Sequence, residues 1–190
     1  MKVLVTGATG FVGKHLVSRL LHEGVEVTEI NSTNFDSMWS LEKNIYDFII
    51  HLAVKTAAGG YCQNHPGEQW IVNNSINVDM LAYWQQYQQR ATMITFGSSC
   101  GYNNNIKKIE PNYLKDEPET GYEVYGMVKR NLLTGLKALK DAWDLENDSY
   151  KSKRKAEYPS IVAQLDDIYN NGIDAWKATI KTTKDKYPKG

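Results

Sequence analysis

The stretch Lys2-Val3-Leu4-Val5-Thr6-Gly7-Ala8-Thr9-Gly10-Phe11-Val12-Gly13 decides how the chain begins to fold. Lys2 to Thr6 is an apolar, strand-like run. It gives way to three spaced glycines, after which Leu16, Leu20 and Leu21 recur at helical spacing and predict a helix over Val12 to Glu23. Gly7 permits a tight turn, Gly10 leaves the backbone open to close approach, and Gly13 lets the helix pack closely on the sheet. The opening is a strand, a turn and a helix in succession.

Further along, the same alternation repeats. Val25 to Ile30, Tyr46 to Ala53 and Thr92 to Ser98 read as strands; Glu68 to Gln89 and Val124 to Trp143 read as helices. Strands alternating with helices are the pattern of parallel βαβ units, so residues 1–143 predict an α/β domain with a doubly wound parallel sheet. Residues 144–157 are polar and densely charged without a sustained apolar stripe, and read as a linker. In residues 158–190, Ile161, Leu165, Ile168 and Tyr169 have helical spacing, Pro159 suits a first helical turn, and Asn171-Gly172 supplies a stop. With Asp174 as cap for a second helix carrying Trp176 and Ile180, this segment predicts a small helical hairpin.

Composition removes several classes of function. Lys plus Arg and Asp plus Glu are 22 each, so no global field recruits nucleic acid or an anionic membrane. No apolar run approaches the roughly 20 residues needed to span a bilayer, and the first residues lack the apolar region of a signal peptide. Cys62 and Cys100 are the only cysteines, which suits a reduced, cytoplasmic setting. Cys62 and His65 have no second pair of ligands nearby in sequence, so no metal site is expected.

The glycine spacing, placed between a first strand and a first helix, is that of a dinucleotide fingerprint: exposed N–H groups and the positive helix end suit a pyrophosphate. Such a site usually adds an acid about 20 residues on, at the end of the second strand, to hold ribose hydroxyls. Glu29 and Asp36 are the candidates. No Arg or Lys lies between Val25 and Ser40 to meet a 2′-phosphate, and both NAD and NADP remain open.

Tyr125 and Lys129 stand four apart at the start of the third helix and so share a face. A neighbouring ammonium is expected to lower the phenol pKa and make Tyr125 a usable acid or base. Serine at the end of the fourth strand, in Phe96 to Tyr102, can hydrogen-bond the same substrate oxygen.

With these motifs, residues 1–143 resemble the extended short-chain dehydrogenase/reductase family, the NAD-dependent epimerase/dehydratases, and within it the GDP-L-fucose synthase branch. The segments His51 to Gly60, Gly97 to Tyr102 and Tyr113 to Arg130 carry the likeness. It implies a Rossmann-like sheet, truncated and followed by the small helical hairpin. Ser98, Tyr125 and Lys129 become the catalytic trio, and Cys100 an acid/base for epimerising a keto-sugar, although Cys100 also reads as a small buried filler. Cofactor contacts are implied at Gly7, Thr9, Gly10, Phe11, Val12, Gly13, Asp36, Leu52, Ala53 and Lys129. His51 reads as a packed residue lining the cofactor cleft, and Asn77 matches the asparagine the superfamily places behind the site.

The implied function is NAD(P)-dependent hydride transfer on a nucleotide-linked keto-sugar, in a protein that pairs as a homodimer. The helix stretch Ala82 to Arg90 offers an aromatic packing face, suited to a subunit contact. The segment Arg154 to Lys189 resembles a short C-terminal module of marine bacteriophage proteins. That likeness implies a phage structural protein as partner, a host-cytoplasmic location, and an alternative in which the nucleotide fold serves as a non-catalytic scaffold.

Overall fold

The computed structural model describes residues 1–57 and 60–188, without the side chains of 145–149 and 152. Ala58, Gly59, Lys189 and Gly190, which belong to the two motifs above, lie outside the described residues. The chain divides into two compact units, Met1–Lys137 and Ala138–Gly190.

In the first unit, β1 (Lys2–Thr6), β2 (Glu26–Ile30), β3 (Phe48–His51) and β4 (Thr92–Thr95) form one parallel sheet in the order β2-β1-β3-β4. Crossovers by α1 (Gly13–His22) and α3 (Pro66–Tyr87) lay helices on opposite faces, and the strand residues divide accordingly. Val3 and Val5 pack with Val17, Leu16 and Leu20 on the α1 side. Leu4, Ile30 and Ile49 pack with Met80 and Tyr83 on the α3 side, where Met38, Tyr46 and Trp39 close the layer. A short helix, α2 (Tyr61–Asn64), precedes α3, and α4 (Glu123–Glu157) begins beyond β4. β1 spans the predicted Lys2 to Thr6, whereas β2, β3 and β4 are shorter than the runs Val25 to Ile30, Tyr46 to Ala53 and Thr92 to Ser98.

Several local expectations change. Leu21 is exposed, and Gly13, Leu16, Val17 and Leu20 form the inward face of α1. The aromatic face of α3 turns into its own domain: Tyr83 is fully buried, and Trp39 meets Tyr83 and Tyr87 edge-on at 6.0 and 6.4 Å. Beyond it, Gln88 is buried and accepts the Tyr46 N–H at 3.2 Å, while its amide donates to the Asn44 carbonyl.

The third long helix does not stop near Trp143: α4 continues through the charged segment to Glu157. Lys, Glu and Ala are good helix formers, and no proline interrupts them before Pro159. In the second unit, α5 (Ile161–Asn171) is capped by Ser160, whose hydroxyl accepts from Ala163 N at 3.2 Å. Pro159 thus lies before the cap and not in the first turn. Gly172, at φ 85°, ends α5 and also stands as N-cap of α6 (Ile173–Lys186), which leaves Asp174 inside the first turn bonded to Lys177. The hairpin closes through Trp176 Nε1 donating to Gln164 Oε1 at 3.1 Å, and Arg154 donates to the carbonyls of Tyr187 and Lys184. The stripe of Ile161, Leu165 and Tyr169 is exposed, at 76, 60 and 89%.

Replacing Gln88 with Leu removes the acceptor of the buried Tyr46 N–H without creating a large void. Urea unfolding is expected to show a loss of about 1–3 kcal/mol; an unchanged midpoint and slope would contradict the role given to Gln88.

Candidate functional site

Gly7 adopts φ 68°, and a Cβ there would stand 2.8 Å from Ala53 N, so the turn after β1 lies directly on the chain leaving β3. A Cβ at Gly13 would fall 2.1 Å from the Gly7 carbonyl oxygen. Gly13 therefore packs α1 against the turn itself, not against the sheet. Thr9, Gly10, Phe11 and Val12 are exposed, and Val12, at the start of α1, supplies no side-chain cap. Lys14 N already donates to the Gly10 carbonyl and Gly10 N to the Gly7 carbonyl, so among the described residues the amides of Thr9, Phe11, Val12 and Gly13 are the ones left for an external acceptor. These residues fit a pyrophosphate.

Beneath the turn, β1–β3 pairing sets Thr6 opposite His51. His51 Nδ1 lies 2.7 Å from Thr6 Oγ1, and Nε2 lies 3.1 Å from Asn77 Oδ1. An amide oxygen can only accept, so Nε2 carries the proton and Thr6 donates its hydroxyl to Nδ1. The same Thr6 oxygen accepts the Ala53 N–H at 3.2 Å. Burial, with Lys129 adding positive charge nearby and only the Asn77 bond opposing, pushes the imidazole down from 6.5 to about 4.

Two further residues of α3 were not singled out from sequence. Asn73 Oδ1 accepts the Lys55 N–H at 2.6 Å, while Gln69 and Asn73 both donate to the Lys55 carbonyl, at 2.8 and 3.1 Å. Gln69, Asn73 and Asn77 are all buried and recur at i, i+4 and i+8, one polar face of a helix. That spacing was the available signal. It clamps the segment carrying Leu52 and Ala53 beside the glycine turn.

Ser98 and Cys100 lie on the turn after β4. The Ser98 hydroxyl accepts from Cys100 N at 3.2 Å, and Ser98 N donates to the Tyr113 hydroxyl at 3.3 Å. The first turns of α4 press on that loop: a Cβ at Gly126 would stand 2.4 Å from the Cys100 carbonyl oxygen. Ser98, Cys100, Tyr125 and Lys129 are thus drawn into one neighbourhood, and Lys129 also acts electrostatically on His51. Lys129 Nζ stands 5.8 Å from the centroid of the Tyr125 ring. Contrary to the expected lowering, the Tyr125 phenol is pushed up to about 12, first by burial and then by Cys62, Cys100 and Tyr113. Desolvation depresses the Lys129 ammonium. Burial dominates both groups.

Cys62, set aside from sequence, joins this neighbourhood through Tyr125, and its sulfur lies 3.7 Å from Thr56 Oγ1. Glu29 is exposed, and Asp36 is exposed in the 3-10 segment Phe35–Leu41; neither bonds the glycine turn among the described residues. Following β2, Asn31 turns its side-chain oxygen onto Thr33 N and Oγ1, at 2.9 and 2.6 Å.

Comparison with known proteins agrees with this architecture. The model of the NAD dependent epimerase/dehydratase family matches residues 3–146, and the chain belongs to that family. A GDP-6-deoxy-D-talose 4-dehydrogenase of Aggregatibacter actinomycetemcomitans is 41% identical over 81 residues, 38% of this chain and 26% of that protein. A GDP-L-fucose synthetase from Naegleria fowleri bound to NADP superposes with a TM-score of 0.64 at 21% identity, covering 76% of this chain and 46% of that one. The Thermus thermophilus UDP-glucose 4-epimerase complex with NAD gives 0.58 at 20%, covering 75% and 51%. The chain therefore spans about half the length of these solved relatives. The sheet, turn and crossover helices are the shared fold.

Because His51 is held neutral when folded but titrates near 6.5 when unfolded, the unfolded chain binds protons more readily between those values. Stability is fully present above 6.5 and falls as pH drops toward 4, by about 3 kcal/mol in all. Urea unfolding from pH 7.5 to 5 should show this slope, and His51→Gln should flatten it; identical slopes in both proteins would exclude a buried neutral imidazole.

Proposed function

We propose that the chain binds NAD or NADP at the Gly7–Gly13 turn and transfers hydride to or from the keto carbon of a nucleotide-linked sugar. The observation that carries this reading is the seating of Gly126 on the Cys100 carbonyl, which brings the Ser98–Cys100 turn against the helix bearing Tyr125 and Lys129. The amides of Thr9, Phe11, Val12 and Gly13 would hold the phosphates of the nicotinamide cofactor, which would supply or accept the hydride.

The side chains then divide the remaining work. As negative charge develops on the carbonyl oxygen, the Tyr125 hydroxyl gives it a proton and the Ser98 hydroxyl donates a hydrogen bond that holds it in place. Lys129 supplies positive charge near the phenol and would hold the ribose of the cofactor. Cys100 exchanges a proton at the carbon next to the carbonyl, the step an epimerase adds to a reductase. Leu52 and Ala53, fixed through Thr6 and Lys55, form a rigid wall beside the cofactor, and Asp36 is the acid offered to its ribose. Retention of the family's residue types at mutually consistent positions supports catalysis over a bare scaffold.

Trp70, Ile71 and Val78 on α3 are exposed, at 45, 69 and 61%, and support a homodimer formed through this face. The exposed stripe of α5 supports a second role, docking of the tail onto a structural partner such as a phage protein. Sedimentation velocity is expected to show a dimer that Ile71→Asp dissociates and Leu165→Asp leaves intact. The reverse dependence would move self-association to the tail.

Calorimetry with NADH and NADPH tests the cofactor site. Micromolar binding of one of them is expected, lost in Gly10→Asp, where a carboxylate enters the phosphate position, and kept in Tyr125→Phe, which should lower turnover of a keto-sugar nucleotide about 100-fold or more. Equal cofactor binding by Gly10→Asp would place the dinucleotide elsewhere.

A further inference from the structure

Arg130 follows Lys129 directly, is 7% exposed, and forms no ion pair among the described residues. Its guanidinium is used entirely on backbone. Nε donates to the Gly101 carbonyl at 2.7 Å, one terminal nitrogen to the Asp116 carbonyl at 2.6 Å, and the other to the Lys115 carbonyl at 2.9 Å. A buried cation without a carboxylate is costly, and here three charge-assisted bonds to backbone carbonyls offset that cost.

The three carbonyls belong to two separate loops. Gly101 ends the turn that carries Ser98 and Cys100; Lys115 and Asp116 belong to the segment before α4, where Asp116 adopts φ 53°, a left-handed conformation uncommon for a residue with a side chain. The loops are tied to each other as well, by Glu119 N donating to the Cys100 carbonyl at 3.1 Å. Tyr113, itself buried, packs against Gly97 and Gly101 of the same turn and lies edge-on to Tyr102 at 4.9 Å. Gly126 touches the Cys100 carbonyl from below, one turn of α4 before Arg130.

We infer that Arg130 is a positioning residue: its three-pronged grip on Gly101, Lys115 and Asp116 sets the Ser98–Cys100 turn at a fixed distance from Tyr125 and Lys129. A guanidinium suits this task because its donors diverge in one rigid plane. A lysine ammonium keeps the charge and loses the fork.

The inference rests on the active-site reading for its catalytic consequence, but not for its structural one. With Cys62→Ser in the background, Cys100 is the sole thiol, and its alkylation by iodoacetamide reports how firmly the turn is held. Arg130→Ala is expected to raise that rate about tenfold, with about 50 mM free guanidinium restoring most of the protection and Arg130→Lys remaining loose. In turnover of a keto-sugar nucleotide, both variants should lose about 100-fold in kcat with KM and NADPH affinity within about threefold of the parent. An unchanged alkylation rate, a raised rate that guanidinium leaves untouched, or failure of both variants to fold would each overturn the positioning role. A folded parent that reduces no keto-sugar nucleotide counts against the proposed reaction instead, and the thiol rates still decide Arg130.

Discussion

The pairing of Thr6 with His51 across β1 and β3 is the contact on which the site depends. A polar pair at the centre of a parallel sheet cannot be left unsatisfied, because neither group can recover its bonds from water. Thr6 therefore donates to His51 and accepts from Ala53, and His51 donates to Asn77. One hydroxyl and one neutral imidazole tie the glycine turn, the exit of β3 and the crossover helix into a single hydrogen-bonded body. Gly7 permits this, since any side chain there would strike the Leu52–Ala53 peptide. The cradle is rigid because its supports are buried, not because the turn itself is stiff.

Burying the supports also determines which parts of this arrangement could be read from the chain. The strands and the glycine turn were legible, because an apolar run followed by spaced glycines has few alternatives as a fold. That Ser98, Tyr125 and Lys129 would come together was legible only from the constellation, each meaning little alone. Gln69 and Asn73 were not, since polar residues at i and i+4 ordinarily mark a solvent face, and only the Lys55 peptide against them reverses that meaning. The same ambiguity ran the other way in α5, where Ile161, Leu165 and Tyr169 have core spacing and stand in solvent. Periodicity says which residues share a face, and nothing about what covers it.

Charge density misled in a different manner. Residues 144–157 lack an apolar stripe, the usual signature of a linker, yet α4 passes through them. Lysine, glutamate and alanine are good helix formers, and here Arg154 and Glu157 also bond the end of α6, through the Tyr187 and Lys184 carbonyls and through Lys186. Asp174 failed as a cap for an equally local reason: Gly172 had already supplied the reversal that separates the two helices.

The electrostatics of Tyr125 follow from the half-buried setting of the pair. A phenol pushed up to about 12 is fully protonated near neutrality, which is the form needed to protonate a carbonyl oxygen, but it is a weaker acid than an ordinary tyrosine. Lys129, 5.8 Å from the ring centroid, is not among the groups that shift the phenol, and its own ammonium is depressed by desolvation. Desolvation strengthens any charge–dipole interaction formed later within the site, because there is less water to screen it. In the proposed reaction, an oxygen gaining negative charge at Tyr125 would meet a protonated phenol and a partly desolvated cation. In that reaction, the same partial burial that raises the phenol pKa would strengthen the pair's response to developing negative charge.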